Sequence, residues 1–295
     1  MAIVKLRKIW FLISAALVIA SVVFIALWGL NFGIDFTGGS LAEIKFIEQR
    51  PEIPAVRGAL AEFELGDINI QPSGDQDIIF RFQFLDEEQK TKVLEKLTAD
   101  FGQIEELRFD NVGPIIGQEL RTKTIYAVIF VLLAIVVYVA WAFRKVSKPI
   151  ASWKYGLLTL LASFHDVIIP IGVFSLLGKF MGTEINAPFI AAVLTILGYS
   201  VNDTIVVFDR VRENLLKTEG TFFEIVGRSI RQTFARSINT TLTTLLALIA
   251  IYLFGGETIK DFALVLIIGV AVGAYSSVFI ASPLLVSWEG FRKRV

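Results

Sequence analysis

Residues 187–210 read APFIAAVLTILGYSVNDTIVVFDR, an apolar run interrupted by the triplet Asn202-Asp203-Thr204. As a helix, the apolar part is long enough to cross a hydrocarbon core of about 30 Å. An ionised side chain inside such a helix is costly unless it is paired or hydrated. The stretch therefore predicts a membrane-spanning helix whose polar centre has a function or a partner.

The rest of the chain has the same character. Of its 295 residues, 55% are hydrophobic and only 19% are charged, against about 25% charged residues in an ordinary soluble domain. We predict a polytopic α-helical membrane protein with six spans, at residues 9–30, 124–143, 154–177, 187–208, 237–254 and 262–288. The first span is too long for a cleaved signal peptide, so we interpret it as a retained anchor.

Lysine and arginine collect beside the spans on one side, which the positive-inside rule assigns to the cytoplasm. The opposite loops contribute little beyond Lys179 and Lys260. Both chain termini are therefore predicted to be cytoplasmic. The basic residues on that side are Lys5, Arg7, Lys8, Arg144, Lys145, Lys148, Arg210, Arg212, Lys217, Arg228, Arg231, Arg292, Lys293 and Arg294.

The long loop after the first span has strand and helix periods of its own and is predicted to lie outside the cytoplasm. Strand patterns at 40–47, 67–71, 78–84 and 104–109 alternate with helix patterns at 53–63 and 86–101, and residues 72–75 form a turn cluster. The order β-α-β-β-α-β describes an α+β ferredoxin-like domain. We therefore divide the chain into an N-terminal transmembrane helix (1–30), an extracytoplasmic domain (31–121) and a five-helix transmembrane region (122–295).

Two glycine-rich stretches bracket the extracytoplasmic domain, GIDFTGG at 33–39 and VGPIIG at 112–117. Neither is a phosphate-binding loop, because GIDFTGG has no following helix and no Walker lysine. We interpret both as bent connectors that set the angle of the domain to the membrane. The candidate hinge residues are Asp35, Gly38, Gly39, Gly113, Pro114 and Gly117.

Asp203 is the strongest candidate for a functional group, together with Asn202 and Thr204. Arg236 opens the fifth span at a neighbouring depth, so we predict that it pairs with Asp203. Two readings remain open: a proton-responsive group that a small movement can protonate or release, and a pair that only holds helices together. Weaker candidates for the proton pathway are His165, Asp166, Asn239 and Thr240, each of which could equally serve packing.

Between the fourth and fifth spans, residues 210–236 read as an amphipathic basic helix along the cytoplasmic surface.

The sequence also excludes several kinds of site. It has no cysteine and a single histidine, which removes disulfide, thiolate and Cys- or His-cluster metal sites. No nucleotide-binding or hydrolytic motif is present. We therefore expect no cofactor, no metal and no enzymatic activity.

Five motifs, in order along essentially the whole chain, resemble the SecF branch of the SecD/SecF family within the RND superfamily. They are GIDFTGG, VGPIIG, His165-Asp166, GYSVNDTIVVFDRVREN and ARSINTTLTTLLAL. The resemblance implies a bacterial cytoplasmic-membrane protein that forms half of a twelve-span core. It implies SecD as the six-span partner, together with the SecYEG channel, the SecA motor and unfolded preproteins.

In that family the proton-motive force drives late steps of preprotein translocation. The resemblance assigns the proton-responsive carboxylate to Asp203 and its basic neighbour to Arg236. Two alternatives are kept beside this function. One is half of an RND-type small-molecule or ion exporter, and the other is a non-transporting structural subunit of the translocon.

Overall fold

The structure, a computed structural model, describes residues 2–63, 65–66, 68–144 and 150–292. Four of the basic residues used for the orientation, Lys145, Lys148, Lys293 and Arg294, lie outside these ranges, as does Asp67 of the second predicted strand. The chain forms two compact units. The α/β unit comprises Asn31–Ile125 and Glu184–Ala187, and the helical unit comprises Met1–Leu30, Tyr126–Thr183 and Pro188–Val295.

The elements follow one another along the chain as helices and four strands. The helices are α1 (Ala2–Lys5), α2 (Arg7–Trp28), α3 (Ile34–Thr37), α4 (Ile53–Ala59), α5 (Glu87–Phe101), α6 (Pro114–Ala142), α7 (Ser152–Met181), α8 (Ala187–Lys217), α9 (Phe222–Phe254), α10 (Glu257–Ser276) and α11 (Ser282–Arg292). A π-helical turn, Ser277–Ala281, joins α10 to α11. The strands are β1 (Gly39–Phe46), β2 (Asn69–Ser73), β3 (Asp77–Phe82) and β4 (Ile104–Val112).

The α/β unit contains one antiparallel sheet of order β2-β3-β1-β4. Alternate residues of its strands are buried, so one face of the sheet packs against the hydrophobic sides of α4 and α5. The order β-α-β-β-α-β and this strand order confirm the ferredoxin-like prediction. The core residues include Ala42, Ile44, Phe46, Val56, Leu60, Ile78, Phe80, Val93 and Leu97.

One local prediction in this unit was wrong. Pro72 and Ser73 were predicted to lie in a turn, yet both belong to β2, where they are paired with Ile78 and Asp77. Proline is tolerated there because β2 is an edge strand. Its missing backbone N–H therefore removes no hydrogen bond from the centre of the sheet. The turn itself occupies residues 74–76.

Six helical segments of the described chain are long and apolar enough to cross a membrane, which confirms the six predicted spans. Each observed segment overlaps one predicted span, and several extend beyond it. The segments are Arg7–Trp28, Pro114–Ala142, Ser152–Met181, Ala187–Lys217, Phe222–Phe254 and Ile259–Glu289.

Residues 210–236 do not form the single amphipathic helix that the sequence predicted. The first part completes α8 and the last part opens α9, so the segment is the end of a helical hairpin. Gly220, with φ +136°, breaks the helix. Thr221 and Glu224 then form a capping box that starts α9. The side-chain amide of Asn214 on α8 donates to Ser229 and Gln232 on α9 at 2.8 Å each and joins the two arms.

The π-helical turn interrupts the last span within the core of the helical unit. Val278 and Ala281 of the turn are buried. Its extra residue frees a backbone carbonyl, and the Ser282 hydroxyl donates to the carbonyl oxygen of Ser277 at 2.8 Å. A buried backbone group is thereby satisfied without water. Such turns are often found at functional sites.

Candidate functional site

Asp203 lies in the middle part of α8 and is 8% exposed. One carboxylate oxygen, Oδ1, accepts a 2.6 Å hydrogen bond from the hydroxyl of Ser237 on α9. The other oxygen, Oδ2, is buried and has no hydrogen-bond partner in the described part of the chain. The carboxylate thus joins the two helices through one oxygen and keeps the second oxygen free.

The predicted ion pair with Arg236 is not formed. Across the residues that the structure describes, no salt bridge within 4.0 Å joins Arg236 to Asp203, although the arginine is close enough to attract its charge. Successive residues of an α-helix point about 100° apart. Because Ser237 is turned towards Asp203, its neighbour Arg236 is turned away, and its side chain is exposed.

Arg236 instead lines a cavity of about 220 Å³ between α8 and α9. Charged residues of both signs surround this space, and Arg210 pairs with Glu213 at 2.7 Å. The arginine therefore lies in a polar setting, one residue before the serine that bonds to Asp203. The cavity is lined by Ile205, Val206, Asp209, Arg210, Glu213, Gln232, Thr233 and Arg236.

The neighbours of Asp203 in the triplet have different surroundings. Thr204 is fully buried, and its hydroxyl lies 2.9 Å from that of Ser277 in the π-helical turn. Asn202 is exposed on the surface of this chain, as are Asn239 and Thr240 on α9. The structure therefore buries Thr204 against the π-helical turn and leaves Asn202, Asn239 and Thr240 on the outside of α8 and α9.

Asp166 is the second buried carboxylate, and its side chain is completely inaccessible. It contacts His165 Nδ1 at 2.8 Å, accepts a 2.6 Å hydrogen bond from Ser276, and accepts another from Ser200. These four residues form what we call the Asp166 cluster. The cluster connects α7, α8 and the end of α10. The predicted His165 and Asp166 are therefore in direct contact with each other.

Tyr275 extends the polar contacts to α2. Its ring centroid lies 6.2 Å from that of His165. Its hydroxyl donates to the Trp10 carbonyl and accepts from Ser14, both at 3.2 Å. The imidazole Nε2 of His165 is buried and has no hydrogen-bond partner among the described residues. The Tyr275 hydroxyl thus joins α10 to α2, and its ring packs beside His165 without a hydrogen bond to it.

Sequence reasoning missed the serines that bond to the buried polar residues. Isolated serines in a hydrophobic helix carry no motif, and many only fill space. The signal that could have found one of them is helical spacing, since Ser200 precedes Asp203 and Thr204 by about one turn. The missed residues are Ser200 and Ser276, which contact Asp166, Ser237, which contacts Asp203, and Ser277, which contacts Thr204.

The two glycine-rich stretches meet in the α/β unit. Gly38 has φ +74°, and a Cβ atom there would lie 2.7 Å from the Pro114 Cα. A Cβ on Gly117 would lie 2.8 Å from the Gly38 nitrogen. Gly39 has φ +128° and abuts the Phe82 carbonyl. The backbone of the two connectors is therefore in contact, and only glycine fits at Gly38, Gly39 and Gly117.

Comparisons with known proteins agree with these features. The model of the family "Protein export membrane protein SecD/SecF, C-terminal" matches residues 92–290, and that of the "SecD/SecF GG Motif" matches residues 25–46. The chain is 44% identical over 300 residues to the protein translocase subunit SecF of Thermobaculum terrenum, covering 97% of this chain and 93% of the relative. It is 41% identical over 297 residues to SecF of Desulfurispirillum indicum, covering 97% and 90%.

Two solved structures have the same fold. The crystal structure of SecDF, a translocon-associated membrane protein from Thermus thermophilus, matches with a TM-score of 0.85 and 34% identity over 98% of this chain. SecDF in its super-membrane-facing form matches with a TM-score of 0.67 and 35% identity over 100% of it. In both cases this chain spans 39% of the length of the solved chain. The chain belongs to the SecD/SecF family of protein-export membrane proteins.

Proposed function

We propose that this chain is the SecF half of a twelve-span export unit, in which proton exchange at Asp203 promotes late steps of preprotein translocation. The observation that carries the proposal is the geometry of the carboxylate. One of its oxygens is bonded to Ser237, and the other is buried and free of any partner in the described chain. A buried oxygen with unused lone pairs is costly while the group is ionised, so it is a suitable acceptor for a proton.

The proposed partner half is SecD. Support comes from the solved SecDF chains, of which this chain matches 39%, and from its own six candidate spans. The exposed Asn202, Asn239 and Thr240 also favour a partner, because polar side chains in a membrane usually face protein or water. The proposed partners beyond SecD are the SecYEG channel, the SecA motor and unfolded preproteins.

We further propose a bacterial cytoplasmic membrane location with both termini in the cytoplasm. The distribution of lysine and arginine supports this orientation, which puts residues 31–121 outside the cytoplasm. We propose that the chain serves transport without catalysing a reaction of its own and without a cofactor, because its sequence has no nucleotide-binding or hydrolytic motif.

The mechanism follows from the contacts of Asp203. When ionised, the carboxylate accepts a hydrogen bond from Ser237 and attracts the charge of Arg236 on α9. Protonation removes the charge, so the attraction is lost and the packing of α8 against α9 changes. One elementary charge crossing 100 mV supplies about 2.3 kcal/mol, which is sufficient to bias two packing arrangements. The glycine connectors allow the α/β unit to follow the change.

The test is Asp203→Asn in the complete complex, with Asp209→Asn as the matched control. Asp209 lies on the same helix but is exposed and paired with Arg212. We expect Asp203→Asn to abolish the stimulation of export by the proton gradient, with normal protein levels and normal co-purification of SecD, and Asp209→Asn to retain it. Export that stays fully coupled in Asp203→Asn overturns the proposal.

The same variant discriminates the alternatives. If Asp203→Asn loses SecD and the Sec channel on purification, the carboxylate is structural. If the complex instead moves small molecules or ions in a proton-dependent manner without SecA, the exporter function is correct.

A further inference from the structure

The last residues of the short loop between α7 and α8, together with Ala187 at the start of α8, pack as part of the α/β unit, as residues Glu184–Ala187. Its backbone pairs with the segment that precedes α3. Phe32 and Ile185 form a parallel bridge, the Gly33 amide donates to the Ile185 carbonyl at 2.9 Å, and the Ile185 amide donates to the Asn31 carbonyl at 2.7 Å. The loop is therefore held by a single parallel bridge to the segment 31–33.

Two side chains of the α/β unit bind the same loop. The carboxylate of Asp35 accepts a 2.7 Å hydrogen bond from the amide of Ala187, the first residue of α8. The side chain of Arg81 on β3 forms an ion pair with Glu184. Both partners of the pair are mostly buried, at 15% and 11% side-chain exposure. A 2.7 Å hydrogen bond to Gln71 on β2 orients the other end of the Arg81 guanidinium.

These contacts have a mechanical consequence, because α8 also carries Asp203. The helix begins at Ala187, and Asp203 lies about 24 Å further along its axis. An unbroken α-helix transmits an axial displacement along its length, whereas a free loop at its end absorbs it. This loop is only a few residues long and is fixed by its backbone and by two charged side chains. A displacement of α8 is therefore delivered to β3 and to the segment that contains Asp35.

We propose that Glu184–Ala187 is the coupling segment that carries the movement of α8 to the sheet of the α/β unit, with Asp35 and Arg81 as positioning residues. The inference rests on the proposed role of Asp203 and adds the route by which its protonation acts. Asp35 is suited to its place because a carboxylate at a helix N-terminus is favoured by the helix dipole.

Charge reversal at the ion pair tests the link directly. Each single variant, Arg81→Glu or Glu184→Arg, places two side chains of like charge together at a mostly buried position. The double variant restores an ion pair with the two charges exchanged. Gln71 supports both directions, since its side-chain amide can donate as well as accept. We expect each single variant to lower proton-stimulated export by about five-fold or more. The double variant should recover to within about two-fold of the parent.

All variants are compared in the complete complex reconstituted in vesicles, at equal protein levels and with SecD bound. Export is also measured without a proton gradient, because a merely structural defect would lower export under both conditions. A double variant that assembles normally and exports no better than the singles overturns the coupling role of the pair. Equal loss of export with and without the gradient also overturns it.

A crosslink provides the second test, in a chain that contains no cysteine of its own. Paired strands lie about 4.8 Å apart, which is within the Cα separation that a disulfide tolerates. We expect Phe32→Cys/Ile185→Cys to export equally well when oxidised and reduced, because the loop and its partner segment move together. Export that is lost on oxidation and restored by reductant shows that the two must separate, and it overturns the proposal.

Failure of this inference is distinguishable from failure of the proposed function. If Asp203→Asn abolishes proton-stimulated export and the reversed pair does not rescue it, only the route through Glu184–Ala187 is wrong. If Asp203→Asn leaves that stimulation intact, the proton role of Asp203 is wrong, whatever the loop variants do.

Discussion

The hydroxyl of Ser237 donates a 2.6 Å hydrogen bond to Oδ1 of Asp203, so the direct partner of the carboxylate on α9 is neutral. The charged neighbour, Arg236, faces the cavity beside it. Loss and gain of a proton can therefore change the α8–α9 contact without breaking a buried ion pair, a change that would be costly.

Ser237→Ala should lower proton-stimulated export by about ten-fold, because a hydrogen bond to a charged group contributes about 1.5–3 kcal/mol. Ser237→Thr keeps the hydroxyl and should retain most of the activity. Export rates of the two variants in the same membranes, at equal protein levels, provide the measurement. Equal rates for the alanine variant and the parent would show that Asp203 needs no partner on α9.

Asp166→Ala should destabilise the helical unit by about 2–4 kcal/mol, because the buried hydroxyls of Ser200 and Ser276 lose their acceptor. Asp166→Asn keeps an acceptor oxygen and should cost less. Denaturant titration of the purified complex measures both. If Asp166→Ala unfolds at the same denaturant concentration as the parent, the Asp166 cluster does not hold α7, α8 and α10 together.

Gly38→Ala and Gly117→Ala should each reduce the accumulated protein strongly, since a Cβ atom at either position collides with the backbone of the other connector. The expected cost is about 2 kcal/mol or more at Gly38, where φ is also positive. Gly113→Ala is the matched control, because a Cβ there meets no atom within 4 Å. Similar levels of all three variants would show that the connectors are not in contact in the membrane.

Cysteines at Asp75 and Glu219 should react with a membrane-impermeant maleimide from opposite sides of the membrane. Asp75 lies in the exposed turn between β2 and β3, and Glu219 lies in the exposed break between α8 and α9. Because the natural chain has no cysteine, each label reports one position. Labelling of both positions from the same side would refute the proposed orientation.

Much of the fold could be predicted from hydrophobic periodicity. The six spans and the β-α-β-β-α-β order depend on local patterns, and both were confirmed. Asp203 could be singled out because an acidic residue in an apolar helix is rare. Its hydrogen-bond partner could not be predicted, because position along a helix gives the depth of a side chain in the membrane but not the direction in which it points. Arg236 and Ser237 differ by about 100° in that direction.

The role of residues 184–187 could not be predicted either. The four residues Glu184, Ile185, Asn186 and Ala187 have the composition of an ordinary loop, and their partners lie about 100 to 150 residues earlier in the chain. Such pairing depends on the tertiary fold and leaves no local periodicity. The pairing of the two arms of the segment 210–236 through Asn214 likewise depends on the tertiary fold, although the glycine and threonine at the break are local helix-stop and helix-start signals.

The π-helical turn Ser277–Ala281 holds one residue more than a uniform α-helix needs over the same length. Because the turn absorbs this residue, the helix on either side keeps its register. Ser276, before the turn, contacts Asp166, and Leu285 and Val286, after it, lie in the hydrophobic core. Deleting one residue within the turn would restore a uniform helix with both sides still in place, at the loss of the Ser282–Ser277 hydrogen bond. A deletion in α10 or α11 would instead rotate everything that follows by about 100°. Natural variants of the chain that differ in residue count within this span should therefore differ at the turn.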